Sequence, residues 1–527
     1  MGVPAYFSYI IKNYPKIIRT IDNLDQVHNL YLDCNSIIYD AMYSIKENKS
    51  NINNVIIKMV CDKLEEYILN IKPSNHVFIA FDGVAPVAKL EQQRTRRIRS
   101  KLIGKITDTV NPDKFKLNFD STCITPGTVF MDELANYIKR HFSNPKKYNL
   151  EKITVSCSDI HGEGEHKLFE YIRDNIDYHT NKNTVIYGLD ADLIMLSINH
   201  LPICKNIYLF RETPEFIKSL DNTLDPNKLY MIDIPKLSQR LSCELNQNIE
   251  VENSIMNNKI YDYILLCFFL GNDFMPHFPA LNIRTNGIQI LMETYSSIFT
   301  DTNESIVLNQ EIQWKNIRKL ISAIAEKEEE YIINDYLSRN KQEKRYIKAN
   351  TPEEKLDKLN RLPILERNEE HYINPMLPGW QNRYYERLFH MEINNERRKQ
   401  ICFNYMEALE WTMKYYTSGC VDWRWKYKYN YAPLLEDLVK YIPYFQTSMF
   451  KQQNNNVVSP YTQLSYVLPK SSLNLLPKDI ETNLLKIHPE WYDENINICW
   501  CFCKYFWESH ILLPDINISE LEKITSN

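Results

Sequence analysis

The stretch Thr184–Asp192, TVIYGLDAD, is a β-branched and aromatic run that breaks at a glycine and then releases two carboxylates. Such a run, bounded by a turn signal, reads as a buried strand. The same grammar recurs in NLYLD (Asn29–Asp33), HVFIAFD (His76–Asp82), KITV (Lys152–Val155) and NIYLF (Asn206–Phe210), with longer stretches of helical periodicity between them. Strands alternating with helices predict an α/β fold, a mostly parallel central sheet flanked by helices. Sites on such sheets lie beyond the carboxyl ends of the strands. That is where Asp33, Asp82, Asp190 and Asp192 stand.

Three more acids belong with these four. Glu163 and Glu165 sit in GEGEHK (Gly162–Lys167), just ahead of the apolar stripe Leu168, Ile172, Ile176, so they occupy the loop or first turn of a helix. Asp273, in GNDF, follows the apolar run ending at Leu270. A lone aspartate at a strand end is most often a helix cap or turn residue. Seven in one cleft are different: two carboxylates about 4 Å apart repel by roughly 4 kcal/mol at an effective dielectric of 20. Hard divalent cations with oxygen ligands relieve that repulsion, and a pair of them can activate water for phosphodiester cleavage. The acids alone leave phosphatase, nuclease and nucleotide-handling enzyme all open.

After FDGVAP comes the densest basic stretch, AKLEQQRTRRIRSK (Ala88–Lys101). In helical register Lys89, Gln93 and Arg96 or Arg97 share a face suited to a terminal phosphate. Arg94, Arg99 and Lys101 are expected to point elsewhere, free to follow a nucleic-acid backbone. A solvated helix face or a nuclear-localisation signal is the plainer alternative.

The chain has 527 residues, 44% hydrophobic and 24% charged, with a formal net charge of -5. It is long enough for several domain-sized units, and it carries no global positive field, so a phosphate partner must be held locally. Twelve cysteines without a Cys-x-x-Cys pair predict free thiols in a cytosol-like compartment. CWCFC (Cys499–Cys503) reads as core rather than as a zinc site. The start MGVPAY has Tyr6 where a myristoylation signal needs Ser or Thr, and no run approaches the roughly 20 apolar residues of a membrane span. From Glu326 to Glu369 charge dominates, predicting an exposed helix that runs into a linker. This gives 1–325 as the α/β core, 326–371 as a charged helix and linker and 372–527 as a second, mainly helical region. In that region Met406, Leu409, Met413 and Tyr416 mark a helix face. The Asn-rich patch Asn454–Asn456 reads as a loop.

Together these segments resemble the XRN family of 5'-3' exoribonucleases. The matching pieces are MGVPAYFSYI, NLYLDCNSIIY, FDGVAPVAKLEQQRTRRIRS, ITPGTVFMDEL, GEGEHKLFEYIR, VIYGLDADLIML, YLFRE and LLCFFLGNDFMPHFPAL, followed by WQNRYYERLF, GCVDWRWKYKYNYAPLLEDL, SPYTQLSYVLPKSS and FWESHILLPDI. The resemblance implies a PIN/FEN-like nuclease core, closed by the second region. It implies that Asp33, Asp82, Glu163, Glu165, Asp190, Asp192 and Asp273 bind two divalent ions, Mg2+ or Mn2+. It implies also that Lys89, Gln93, Arg96 and Arg97 hold the 5' monophosphate of single-stranded RNA, degraded processively to mononucleotides. Base stacking falls to Tyr39, where the family has histidine, and to Trp423 or Trp425. His161 replaces a proline usual in the family. Turnover of decapped messenger RNA, a decapping enzyme as partner, a monomeric state and a cytoplasmic location are the associated expectations. Family members carry long extensions after the second region, so a chain stopping at Asn527 is expected to be a minimal catalytic unit, a compact form suited to an AT-rich viral or parasite genome. The competing readings are a flap-specific DNA nuclease of the same superfamily and a catalytically poor RNA-end-binding scaffold.

Overall fold

A computed structural model of the chain describes residues 5–48, 50–211, 225, 228–247, 253–300, 302, 304–450 and 456–526. Asn454 and Asn455, and the first four residues, lie outside them. The five expected strands pair side by side. They are β2 (Asn29–Asp33), β3 (His76–Ala80), β4 (Lys152–Ser156), β5 (Asn183–Tyr187) and β6 (Asn206–Phe210), and two short strands, β1 (Ile18–Thr20) and β7 (Tyr230–Asp233), extend one edge. The order is β1-β7-β6-β5-β2-β3-β4, with β6 through β4 parallel and β7 antiparallel to both neighbours. Every residue of β2 and β3 is buried, which is why they read as unbroken apolar runs. The chain runs outward from β2 through β3 to β4, then returns to the other side of β2 as β5. A crevice at the carboxyl ends of β2 and β5 follows from that reversal.

One polar chain lies inside this core. The His179 Nδ1 bonds the Asn175 carbonyl at 2.6 Å, and its Nε2 lies 2.7 Å from the Tyr31 hydroxyl. A carbonyl only accepts, so His179 donates from Nδ1 and accepts the Tyr31 proton at Nε2. Tyr31 must then accept from His76 Nδ1 at 3.2 Å, leaving His76 Nε2 to accept from Thr154 at 2.9 Å. All four groups are satisfied with both imidazoles neutral.

The basic stretch forms a 24-residue helix, Val87–Val110. Its start packs with Leu464, Val467 and Leu484 of the second region. The expectation that Arg94 and Arg99 face a nucleic-acid backbone is corrected here. Arg94 is buried and donates to the carbonyls of Pro514 (2.7 Å) and Trp491 (3.0 Å), while Arg99 donates to those of Ser509 (2.6 Å) and Trp507. Lys101 pairs with Asp120 at 2.9 Å. A helical wheel sorts residues by face but does not reveal that a second layer of chain covers the far face.

The charged stretch is helical over most of its length, as Glu328–Glu343, Pro352–Asn360, Leu362–Leu365 and Asn368–Ile373, and most of its charges are exposed. A few turn inward: Glu370 accepts from Arg339 (2.5 Å), Arg367 (2.6 Å) and the Phe502 N–H (2.9 Å), and all three charged groups are buried. Paired charges fill core positions that a hydrophobic pattern cannot reveal. Cys499, Cys501 and Cys503 are buried beside this network. Among the described residues no helix is long and apolar enough to cross a membrane.

Two buried histidines set an acid limit on this fold. Burial holds His76 down to about 3, and burial, together with the guanidinium of Arg173, does the same for His200. The unfolded state binds these protons near pH 6.5 and the folded state does not, so stability is full above that pH and falls as pH drops. At pH 5 each histidine is expected to cost about 2 kcal/mol. Urea unfolding measured from pH 7.5 to 5 should show this slope, and replacing both histidines with glutamine should flatten it.

Candidate active site

Each acid is placed by the end of a strand or the start of a helix. Asp33 is the last residue of β2, and Asp82 lies just beyond β3. The side chain of Asn35 orients Asp82 by donating to Oδ2 (2.5 Å) and accepting from its backbone N–H (3.1 Å). Asp82 Oδ1 accepts from the Gly164 N–H at 2.7 Å. Glu163 caps and Glu165 opens the helix Gly164–Asp174, whose start is pressed against β2. A Cβ on residue 164 would come within 2.4 Å of Asp33 Oδ1, so only glycine permits that approach, and Gly162 supplies the turn with φ +100°. Asp190 follows β5, and Asp192 starts the next helix.

The acids gather as the sequence predicts. Asp33, Asp82 and Glu165 offer carboxylate oxygens within 4.8 Å of one another, and Glu163, Glu165 and His166 form a second such group. Asp33, Glu163, Glu165 and Asp192 are buried, and the other three are half-buried. Six of the seven line one cavity of about 770 Å³, with Asp192 behind it. Burial, then the charges of Asp82 and Asp190, pushes Asp33 well above the usual carboxylate range. Burial with Asp33 and Glu163 does the same to Glu165. Asp192 is pushed up to about 8 by burial, Asp190 and Asp273.

One resident cation offsets part of this. The ammonium of Lys89 sits 2.5 Å from Glu163 Oε2 and 2.8 Å from Asp273 Oδ2. Burial pushes Asp273 up, but Lys89 wins and holds it below the usual range. Glu163 Oε1 accepts from the Tyr415 hydroxyl at 2.8 Å. Asp33 Oδ1 remains enclosed with no hydrogen-bond partner. A crowded, part-protonated set of oxygen ligands with an orphaned carboxylate oxygen fits hard divalent cations.

The basic residues expected to hold a phosphate lie on the same cavity. Gln93, Arg96 and Arg97 line it, and Gln93 Oε1 and Arg97 Nη1 are buried without partners. Arg97 Nη2 reaches only the Ile124 carbonyl, at 3.5 Å, and burial lowers the guanidinium to about 10. Lys89 departs from the expected grouping: its two ion pairs draw it into the acids, between them and the arginines.

The aromatic residues divide. Tyr39 lines the cavity, whereas Trp423 and Trp425 do not. Trp425 stacks on Trp411 (5.1 Å), Trp411 on Tyr415 (4.9 Å) and Tyr415 on His166 (3.7 Å), a column that buttresses the acids from behind. The ring of Trp423 meets His161 edge-on at 5.2 Å. The cavity-lining tryptophan is Trp507, its carbonyl held by Arg99 and its ring 5.6 Å from the Arg284 guanidinium. Sequence reasoning missed Trp507, Asn35, Tyr415 and Lys167. The buried ammonium of Lys167 is lowered to about 8 by burial and donates to the carbonyls of Phe81 and Cys157. Asn35 had a signal, its position two residues after Asp33; Trp507 had only its place in FWESH.

The chain matches the family described as the XRN 5'-3' exonuclease N-terminus over residues 1–213, and that described as the Xrn1 helical domain over residues 254–375 and 340–526. The second match therefore includes Asp273. The chain is 26% identical to the 5'-3' exoribonuclease 2 homolog of Drosophila melanogaster, over 99% of this chain and 70% of the relative. It is 29% identical to 5'-3' exoribonuclease 1 of Homo sapiens, over 99% and 34%. To 5'-3' exoribonuclease 1 of Saccharomyces cerevisiae it is 26% identical, over 94% and 40%. The chain thus spans from about a third to about two thirds of the length of these relatives.

Burial and neighbouring carboxylates push Asp192 up to about 8 and raise Asp33 and Glu165 in the same direction, so a divalent ion entering this cluster would displace at least one proton. Raising the pH from 6 to 8 is expected to tighten Mn2+ binding by up to roughly tenfold per pH unit for each proton released. Calorimetric titration in buffers of different ionisation enthalpy should register at least one proton released per ion bound. Affinity that does not change with pH would contradict the protonation assigned here.

Proposed function

We propose that this chain, which belongs to the XRN family of 5'-3' exonucleases, is a divalent-metal-dependent, processive 5'-3' exoribonuclease acting on single-stranded RNA with a 5' monophosphate. The observation that carries this reading is a single cavity in which six converging carboxylates, with Asp192 behind them, adjoin a basic face where Arg97 keeps an unpartnered donor. The activity for which the relatives are named supports the direction of attack. The depth of the acids behind the basic helix favours a chain end over an internal site.

In this mechanism Arg96, Arg97 and the Gln93 amide bind the terminal phosphate, the arginines through charge-assisted hydrogen bonds. That anchor fixes how far the first internucleotide bond reaches into the cavity. Asp33, Asp82, Glu163, Glu165, Asp190, Asp192 and Asp273 would hold two Mg2+ or Mn2+ ions, which when bound supply an activated water and stabilise the departing oxygen. Lys89, shared between Glu163 and Asp273, bridges the phosphate face to the acids and limits their mutual repulsion. Tyr39 and Trp507 offer flat faces for unstacked bases, and stacking tolerates any base. Cleavage leaves a fresh 5' monophosphate on the shortened RNA, so the same pocket serves each cycle. The biological setting we propose is turnover of decapped messenger RNA in the cytoplasm, downstream of a decapping enzyme, by a monomer.

The test is one 3'-labelled RNA bearing a 5' monophosphate, triphosphate or hydroxyl, incubated with protein and Mg2+ beside an EDTA control. Loss of the monophosphate RNA alone, without a ladder of shortened products, is expected; equal cleavage of all three ends would point to an endonuclease. Asp190→Ala should lower the rate on the order of a thousandfold while RNA affinity in EDTA stays within a few fold. Arg97→Ala should cut the preference for the monophosphate end by roughly ten- to a hundredfold, the worth of a charged hydrogen bond.

A further inference from the structure

The cavity is lined by more cations than the phosphate face uses. Lys89, Arg284 and Lys426 are ion-paired, Arg99 is engaged by backbone carbonyls, and Arg96 and Arg97 form the phosphate face. Arg211 remains. It lines the cavity, and among the described residues neither a carboxylate nor a carbonyl bonds it. Its guanidinium carbon stands 3.9 Å from the ring centroid of Phe7, also on the cavity wall, so a cation–π contact places the charge. An arginine held over a ring, with no anion among the described residues bonded to its fork, is prepared for an oxyanion.

Its place along the sheet says which anion. Arg211 directly follows β6, and β6 pairs with β5 in the register Tyr187↔Phe210, so Arg211 leaves the sheet level with the turn that carries Asp190. Burial lowers its pKa while the charge of Asp190 raises it, which places the two groups in one electrostatic neighbourhood. Along the carboxyl edge the order is therefore Arg211, Asp190, Asp33, Asp82. Arg211 thus stands at the acids' own edge of the cavity, beside Asp190. The phosphate that reaches those acids is the one to be cleaved, one nucleotide on from the terminus that Arg96 and Arg97 would hold.

We infer that Arg211 is a catalytic residue that grips the scissile phosphoryl group through its guanidinium N–H groups, beside Asp190 at the edge of the acid cluster. This rests on the exoribonuclease reading above. In the step concerned, a water oxygen bonds to phosphorus as the bond from phosphorus to the 3' oxygen of the first nucleotide breaks. The 3' oxygen leaves with a proton, and the phosphoryl group stays on the second nucleotide as its new 5' monophosphate. Charge spreads over the non-bridging oxygens as this occurs, and a fixed fork aimed at them favours the transition state over the ground state.

The experiment compares the wild type, Arg211→Ala and Arg211→Lys on 5'-monophosphorylated RNA with Mg2+, measuring kcat and KM, with RNA binding in EDTA measured separately by anisotropy. Arg211→Ala should lose on the order of a hundred- to a thousandfold in kcat, with KM and EDTA binding within about threefold of wild type. Arg211→Lys, charged but unforked, should recover only part of that loss. Added guanidinium chloride should raise the rate of Arg211→Ala and not that of the wild type. A kcat within about threefold of wild type, a loss appearing in EDTA binding instead of kcat, or an Arg211→Ala rate that guanidinium leaves unchanged overturns the assignment. Wild-type protein inactive on this RNA would instead overturn the exoribonuclease reading itself.

Discussion

The structure is organised around the repulsion of seven carboxylates held at one edge of a sheet. Burial keeps these groups from water, and each neighbour makes the next harder to ionise, so Asp33 and Glu165 are driven far above their ordinary range. What makes the arrangement tolerable is the set of groups converging on it. Lys89 lies between two of the acids, Asn35 and the Gly164 N–H hold Asp82, and Tyr415 holds Glu163. The architecture beyond them keeps these partners in reach. β2, β3 and β5 deliver aspartates, a helix start without a Cβ closes on β2, and the aromatic column from Trp425 to His166 backs the acids.

The division of labour between strands and helices follows from the same constraint. Strands buried on both faces are stiff, and their carboxyl ends fix acids with little freedom. The phosphate face instead rides on a helix whose other side is tied to the second region by Arg94 and Arg99. Distance between the basic face proposed to hold the terminal phosphate and the acids is thereby set by rigid elements rather than by loops. The buried trio Arg339, Arg367 and Glu370 extends that rigidity to the segment around Phe502, which borders the same cavity.

Much of this was legible in the sequence, for a physical reason. Doubly buried strands show as apolar runs, and an aspartate at the end of such a run stands out against it, so all five parallel strands and all seven acids could be read directly. The short edge strands Ile18–Thr20 and Tyr230–Asp233 are too brief for any periodicity. Side-chain destinations set by distant chain were not readable. Trp425 looked like a stacking platform and is packed on Trp411; Trp507, an ordinary tryptophan in its local context, reaches the cavity because Arg99 holds its carbonyl. The charged stretch misled because Arg339 and Glu370 fill core positions as a pair, and polar letters read as surface.

The ties from Arg94 to the carbonyls of Trp491 and Pro514 bridge 397 and 420 residues of chain. Their consequence concerns biosynthesis. A ribosome releases the N-terminal strands and acids early, but the helix bearing the phosphate face cannot acquire these partners until Pro514 has left the exit tunnel. Contacts this remote form late. The nascent chain therefore carries its acids through the synthesis of several hundred further residues before the ties that seat that helix can form. For a protein made on the kind of polymer it is proposed to destroy, that delay separates the making of the enzyme from its use.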